Sequence, residues 1–210
     1  MPAWRRTVPA WAELLGPAEE VAPRLLGAVL RKDGVAIRLS EVEAYAGAED
    51  PGSHAYRGRT RRTEVMFGPA GRLYCYLSYG MHVCANVVVG EEGTASAVLL
   101  RAGEVVEGID LARARRPGVA DRQLARGPGL LCRTLAIFLA DNGTDLGEGS
   151  VTLTLRDPVA SEGDVVSVAS GPRTGLRLAP DRPWRFWIAG DPSVSGHRRH
   201  PGAVRETPSL

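Results

Sequence analysis

The sequence is nearly without lysine. Lys32 is the only one among 26 Lys and Arg residues, which leaves 25 arginines, so any chemistry that needs a lysine amine has a single candidate. The formal charge is still only +2, and the chain is arginine-rich rather than strongly basic. Cysteine is scarce as well. Cys75, Cys84 and Cys132 form no CxxC pair and no ligand cluster with histidine, which points away from disulfides and zinc and towards a reduced, cytoplasmic protein. No apolar run reaches the roughly 18 residues of a membrane helix, and the first 30 residues lack the basic-then-apolar order of a signal peptide. No membrane association, metal or cofactor is expected.

What is present fits a compact domain. With 210 residues, 44% hydrophobic and 24% charged, the chain is long enough for one sizeable core, and no break in composition demands a second. The arginines cluster in three places: Arg57, Arg59, Arg61 and Arg62; Arg113, Arg115 and Arg116; and Arg198 with Arg199, flanked by His197 and His200. A guanidinium offers a planar fork that suits phosphate, so nucleic acid is one reading of this bias. Codon usage in a GC-rich genome is the other, and composition does not separate them.

Along the chain, residues 1–16 form a Pro- and Trp-containing lead that either docks or moves freely. Apolar residues at Val21, Leu25, Leu26 and Val29 predict an amphipathic helix from Ala18 to Leu30. Lys32-Asp33-Gly34 is a hairpin signal, and Val35–Tyr45 alternates as a strand does. Val35, Ile37 and Leu39 are apolar, and Glu41 and Glu43 continue the same face. A carboxylate on an apolar face must have a partner or a purpose; an arginine partner is the structural reading. A long polar loop, residues 46–64, carries His54 and the first arginine cluster. Strands are expected from Arg72 towards Tyr79-Gly80, with Tyr74 and Tyr76 on one face, over Val83–Val89 with Asn86 inside it, and over Ser96–Arg101. Helices are expected over Val105–Arg116 and from Gly127 to Ala140, then short strands at Val151–Leu155, Val165–Ala169 and Trp184–Ile188. Asp141–Asp145 is a turn rather than a calcium loop, since it lacks the alternating ligands. His82 and Cys84 share a strand face without a third ligand. The organisation is α+β, with strands dominant and helices at the periphery.

Glu41-Val42-Glu43-Ala44-Tyr45, His54, Met66-Phe67-Gly68-Pro69, the run Leu73 to Met81, Asn86, Leu99-Leu100-Arg101-Ala102, Gly127–Cys132 and Arg185-Phe186-Trp187-Ile188 occur in this order. Together they resemble the alkyladenine (3-methyladenine) DNA glycosylase family over roughly Ala18 to Ile188. The resemblance implies a single α+β domain, residues 17–192, on a curved, barrel-like antiparallel sheet similar to the formyltransferase C-terminal domain. A polar tail, residues 193–210, would follow. It also implies base-excision repair: a damaged purine, 3-methyladenine first, with 7-methylguanine, hypoxanthine or ethenoadenine also possible substrates, is flipped out of double-stranded DNA. Its N-glycosidic bond is then hydrolysed by a monomer, leaving an abasic site.

Residue by residue, Glu43 corresponds to the carboxylate that activates water and Arg101 to the arginine beside it. The same pairing is also what a purely structural ion pair would look like. Tyr45, His54 and Tyr76 match the residues that sandwich the extracted base, as aromatic faces can; unaided, such tyrosines read as ordinary core. Asn86 matches a residue at the pocket floor that crowds the exocyclic amine of normal guanine, its alternative being a satisfied buried amide. The backbone of Gly52 and His54 lies where polar contacts to the base edge are made. Tyr79 matches the wedge that fills the gap left in the duplex. Arg57, Arg59, Arg61 and Arg62 are candidates for phosphate contacts. Glycosylases that also nick the backbone use an amine to form a Schiff base. Lys32 lies at a hairpin remote from these motifs, so a monofunctional hydrolase is expected. A non-catalytic nucleic-acid-binding module on the same fold, or an enzyme of free nucleosides, are the rival classes.

Overall fold

The computed structural model describes residues 11–156 and 167–204. β1 (Val29–Lys32) and β2 (Val35–Tyr45) form a hairpin whose two-residue connection, Asp33 at φ 46° and Gly34 at φ 76°, supplies the two positive φ values that such turns require. β3 (Leu73–Ser78), β4 (His82–Val88) and β5 (Ala97–Glu107) follow as an antiparallel meander. β6 (Ala125–Arg126), β7 (Thr152–Thr154), β8 (Val168–Gly171) and β9 (Arg185–Ile188) are short. These strands join one curled antiparallel sheet in the order β3-β4-β5-β2-β1-β7, with β6 on β5 and the β8-β9 pair on β2. The architecture is the α+β half-barrel that the sequence led us to expect.

β2 organises it. One edge pairs with β5 over nearly the whole strand, whereas the other pairs with β1 through Val35–Arg38 and with β9 through Glu41–Glu43. Between these two partners the register with β5 is irregular, from Leu39 to Val42. The main core takes Val35, Ile37 and Leu39 before that point but Val42 and Ala44 after it. Glu41 and Glu43 therefore do not continue the apolar face, as their odd numbering suggested; the irregularity turns them to the opposite face. A strand's side-chain period of two makes such a flip total for every residue beyond the slip.

Three other expectations change. The helix read over Ala18–Leu30 is one α-turn, α1 (Ala18–Val21), passing into a 3-10 turn at Ala22–Leu25. Pro23 removes a helical donor, and Gly27 at φ 84° reverses the chain into β1. β5 runs six residues beyond Arg101, so the next helix, α2 (Ile109–Arg115), begins only after Gly108 at φ 73°. α3 (Pro128–Leu135) stops at Ala136, whose φ of 57° ends it in the left-handed region, five residues short of the expected Ala140. Part of the strand expected at Val165–Ala169 lies outside the described residues. Trp11 packs against the core and Leu14 is fully buried, so the lead is docked from residue 11 onward.

The second arginine cluster has structural partners, and so does Arg199 of the third. Arg113 bonds Asp110 and Asp121, Arg115 caps the carbonyls of Thr134 and Asp33, and Arg116 binds the Leu124 carbonyl. Arg199 meets Asp181 at 3.1 Å. Lys32 is also committed, to Asp141 and the Ala136 carbonyl, in a largely buried pair.

Candidate functional site

The face opposite the main core carries the site, and strand register assembles it. Glu43 on β2 pairs with Leu99 on β5, Leu99 with Asn86 on β4, and Asn86 with Tyr74 on β3. Those four side chains form one row across four strands, each step about 4.8 Å. Tyr76 and Cys84 form the next pair outward, and Tyr45 and Arg101 lie two residues either way along β2 and β5.

Two carboxylates meet Arg101. Glu41 accepts from Arg101 Nε at 2.8 Å, Arg185 Nε at 2.6 Å, Ser195 Oγ at 3.0 Å and the Ser195 amide at 2.7 Å. Burial alone would raise its pKa, but Arg101 and Arg185 outweigh that and hold Glu41 below the usual carboxylate range. Three of these donors converge on Oε1 and one reaches Oε2. Glu43 accepts two hydrogen bonds, from the Thr174 amide at 2.7 Å on Oε1 and the Tyr45 hydroxyl at 2.9 Å on Oε2, and Arg101 Nη1 lies 3.3 Å from Oε2 as an ion pair. Its Oε1 keeps an acceptor position free. Both carboxylates are fully buried, and burial works against the Arg101 charge, yet Glu43 and Glu41 together drive its pKa upward. Tyr45 is held neutral, chiefly by burial and then by Glu43, which fixes its hydroxyl as the donor.

The three partners of Glu43, namely Tyr45, Arg101 and Thr174, all line an open cleft of about 690 Å3. From its inner end a cavity of about 70 Å3 continues between Tyr45, His54, Tyr76, Asn86 and Gly52, joined by Ser53, Met66, Tyr74 and Leu176. All five pocket residues named from sequence thus converge. Their arrangement is closed: His54 packs edge-on to Tyr76 at 4.5 Å, and Tyr74 stacks on Tyr76 at 5.8 Å. Asn86 donates to the Tyr74 carbonyl at 3.1 Å. The Gly52 amide donates to Asp50 Oδ1 at 3.0 Å. The His54 ring, desolvated by its aromatic neighbours and faced by Arg62, is pushed down to about 4, although its outer edge is open to solvent. It is therefore neutral at pH 7. Arg62 stands at the mouth, 3.4 Å from His54 Nε2 and over the Tyr76 ring. Arg57, Arg59 and Arg61 are exposed on the same loop, and Arg59 pairs with Glu64.

Behind the pocket lies a feature that sequence reading missed. Arg173 is fully buried and binds Asp50 through both terminal nitrogens, at 2.5 and 2.7 Å. Its guanidinium also stacks on Tyr45 and Trp184 and donates to the carbonyls of Ala44 and Ala179. Arg173 and Thr174 sit in a Gly/Pro turn some 130 residues from Glu43, and no local pattern marks them. Ser195 is a second omission, in the segment expected to be a polar tail. Instead Ser193 is buried against Ser40, residues 193–195 are bonded to the sheet, and Arg198 and Val204 are bonded to the loop at Gly175 and Arg177.

At the open end, Tyr79 forms the β3-β4 tip, 80% exposed and at φ 50°. A bulky residue in the left-handed region costs roughly 1–2 kcal/mol. Leu77 and Met81 are exposed beside it. No cluster of three or more metal-ligating side chains occurs among the described residues.

The sequence model of the methylpurine-DNA glycosylase family matches residues 12–192. Relatives named "Putative 3-methyladenine DNA glycosylase" are 54% identical over 199 residues in Nocardia farcinica, covering 91% of this chain and 92% of that protein. In Frankia casuarinae the identity is 53% over 189 residues, 87% and 89% of the two chains. In Cutibacterium acnes it is 50% over 190 residues, 89% and 98%. The molecule is thus a DNA repair glycosylase, an enzyme whose substrate is DNA. More closely, the chain belongs to the methylpurine-DNA glycosylase family.

Proposed function

We propose that this enzyme removes alkylated purines, 3-methyladenine foremost, from double-stranded DNA by hydrolysis, with Glu43 as the general base. The observation that carries the reading is the contrast between the two carboxylates. Glu41 is held by four donors, three of them from Arg185 and Ser195, which lie outside the cleft lining, whereas Glu43 is held only by Tyr45, Thr174 and Arg101, which line the cleft, and keeps an acceptor position free. A water reaching that remaining position gives its proton to Glu43 as its oxygen bonds to the sugar C1′. The C1′–N bond breaks and its electron pair leaves with the base. A cationic alkylated purine departs neutral, so the base needs no separate acid. The Glu43 charge also faces the positive charge that builds on the sugar in the transition state.

In this scheme the purine lies between Tyr45, His54 and Tyr76, which requires the His54–Tyr76 contact to part. Neutral His54 favours a cationic base, because a protonated ring would repel it. Asn86, fixed by the Tyr74 carbonyl, crowds the exocyclic amine of guanine. Tyr79 fills the space the nucleotide vacates, and its strained, exposed position supports that role.

Glu43→Gln keeps the shape and removes the base. It is expected to bind lesion-bearing duplex while single-turnover base release falls by about 10² to 10⁴. Release within a few-fold of the unmodified enzyme would refute the assignment. Alkali-free gels of the product should show no strand nicking, as fits a chain whose only lysine, Lys32, lies outside the cleft and is bonded to Asp141.

A further inference from the structure

The site has a second wall, supplied by residues 193–201. Ser195 donates twice to Glu41, and Arg185 binds the Ser195 carbonyl at 2.8 Å. Arg126 binds the Val194 carbonyl at 2.7 Å, and the Gly175 amide binds the Arg198 carbonyl at 2.8 Å. This is a fixed backbone, and it delivers Arg198, Arg199, His200 and Pro201 to the cleft that Arg62, Ser78 and Tyr79 also line. Arg199 is offset by Asp181. Arg198 is exposed, and no acidic side chain pairs with it among the described residues.

We propose that Arg198 holds a backbone phosphate next to the extruded nucleotide, so that Arg198 and Arg62 grip the strand together. The inference rests on the DNA-cleaning reading of the same cleft. Its geometry follows from that reading: once a base sits in the inner cavity, its sugar lies over Glu43 and its flanking phosphates must leave through the rim. The rim offers the tip with Tyr79 and the main-chain-anchored Arg198. A guanidinium on a pinned backbone loses less freedom on binding phosphate than one on a loop. Of the two neighbouring arginines, only Arg198 brings an uncompensated charge.

The test is the salt dependence of binding to a duplex with one lesion, measured for the full chain and for Arg198→Gln, Arg199→Gln and Arg122→Gln. Arg122 is exposed and outside the cleft. Each phosphate contact contributes about 0.9 to the slope of log K against log salt. Arg198→Gln is expected to lower that slope by about 1 and to weaken binding to lesion-bearing and undamaged duplex alike. The other two variants should shift it much less. An unchanged slope in Arg198→Gln, or an equal loss in Arg122→Gln, would overturn the assignment. A melting curve for each variant establishes that it is folded. Failure of the functional reading looks different, since the unmodified enzyme would then release no base at all.

Discussion

The buried Asp50–Arg173 pair offers the most quantitative test of how the pocket is held. Both side chains are fully excluded from solvent, so replacing Asp50 with Asn leaves a guanidinium inside the protein without its counter-charge. Breaking a buried pair from one side costs about 3–5 kcal/mol. For a chain of this size each kcal/mol moves the melting temperature by roughly 2–4 °C, so Asp50→Asn should lower it by about 6–20 °C. Its stacking on Tyr45 and Trp184 survives in that variant. It is lost in Arg173→Met, which should be at least as damaging to the pocket. The double variant Asp50→Leu with Arg173→Met has no buried charge and should recover part of the loss, because an apolar pair of suitable volume often equals an ion pair. Thermal melts and urea titrations of the three proteins provide the numbers. A shift below about 2 °C for Asp50→Asn would refute the account, as would a double variant as unstable as the sum of the singles.

Three further outcomes are expected. Tyr79→Gly relieves a positive φ and should leave stability unchanged or slightly higher, by up to about 1 kcal/mol, while base release from duplex DNA declines; undiminished release would remove the wedge role. Folded His54 binds its proton only near pH 4, against 6.5 ordinarily. The unfolded chain therefore takes up that proton first, and His54 makes stability fall as pH drops from 6.5 towards 4, with no contribution to the slope above that window. Denaturation across this range should be flatter in His54→Gln, and an identical profile would contradict the shift. Glu41→Gln strips the shared counter-charge from Arg101 and Arg185 and should cost about 3–5 kcal/mol; a variant of normal stability and reduced release would instead make Glu41 a participant in the chemistry.

β2 was legible to the residue, because alternation and a Lys-Asp-Gly turn are local signals. The face of Glu43 was not. Its reversal depends on how β5 pairs around Leu39–Val42, and on β1 giving way to β9 along the other edge. The helix over residues 18–30 failed for a local reason, since its apolar spacing was right but Pro23 and Gly27 overruled it. In the site, Tyr45, Gly52, His54, Tyr76 and Asn86 could be named from motifs that lie close together in sequence. Asp50, Arg173, Thr174 and Ser195 could not, because their importance arises from pairings across more than 120 residues. The row from Glu43 to Tyr74 was latent in the sequence but needed strand register to become visible.

The two bonds from Ser195 to Glu41 have a practical reach. The family match ends at residue 192, and a protein trimmed to that boundary would lose half the donors of a fully buried carboxylate, together with the backbone that closes one side of the cleft. Domain limits drawn by similarity and limits drawn by hydrogen bonding differ here by at least three residues. Shortened versions for crystallisation should therefore end no earlier than Val204, the last described residue bonded back to the fold, and affinity handles at this end should be fused beyond it.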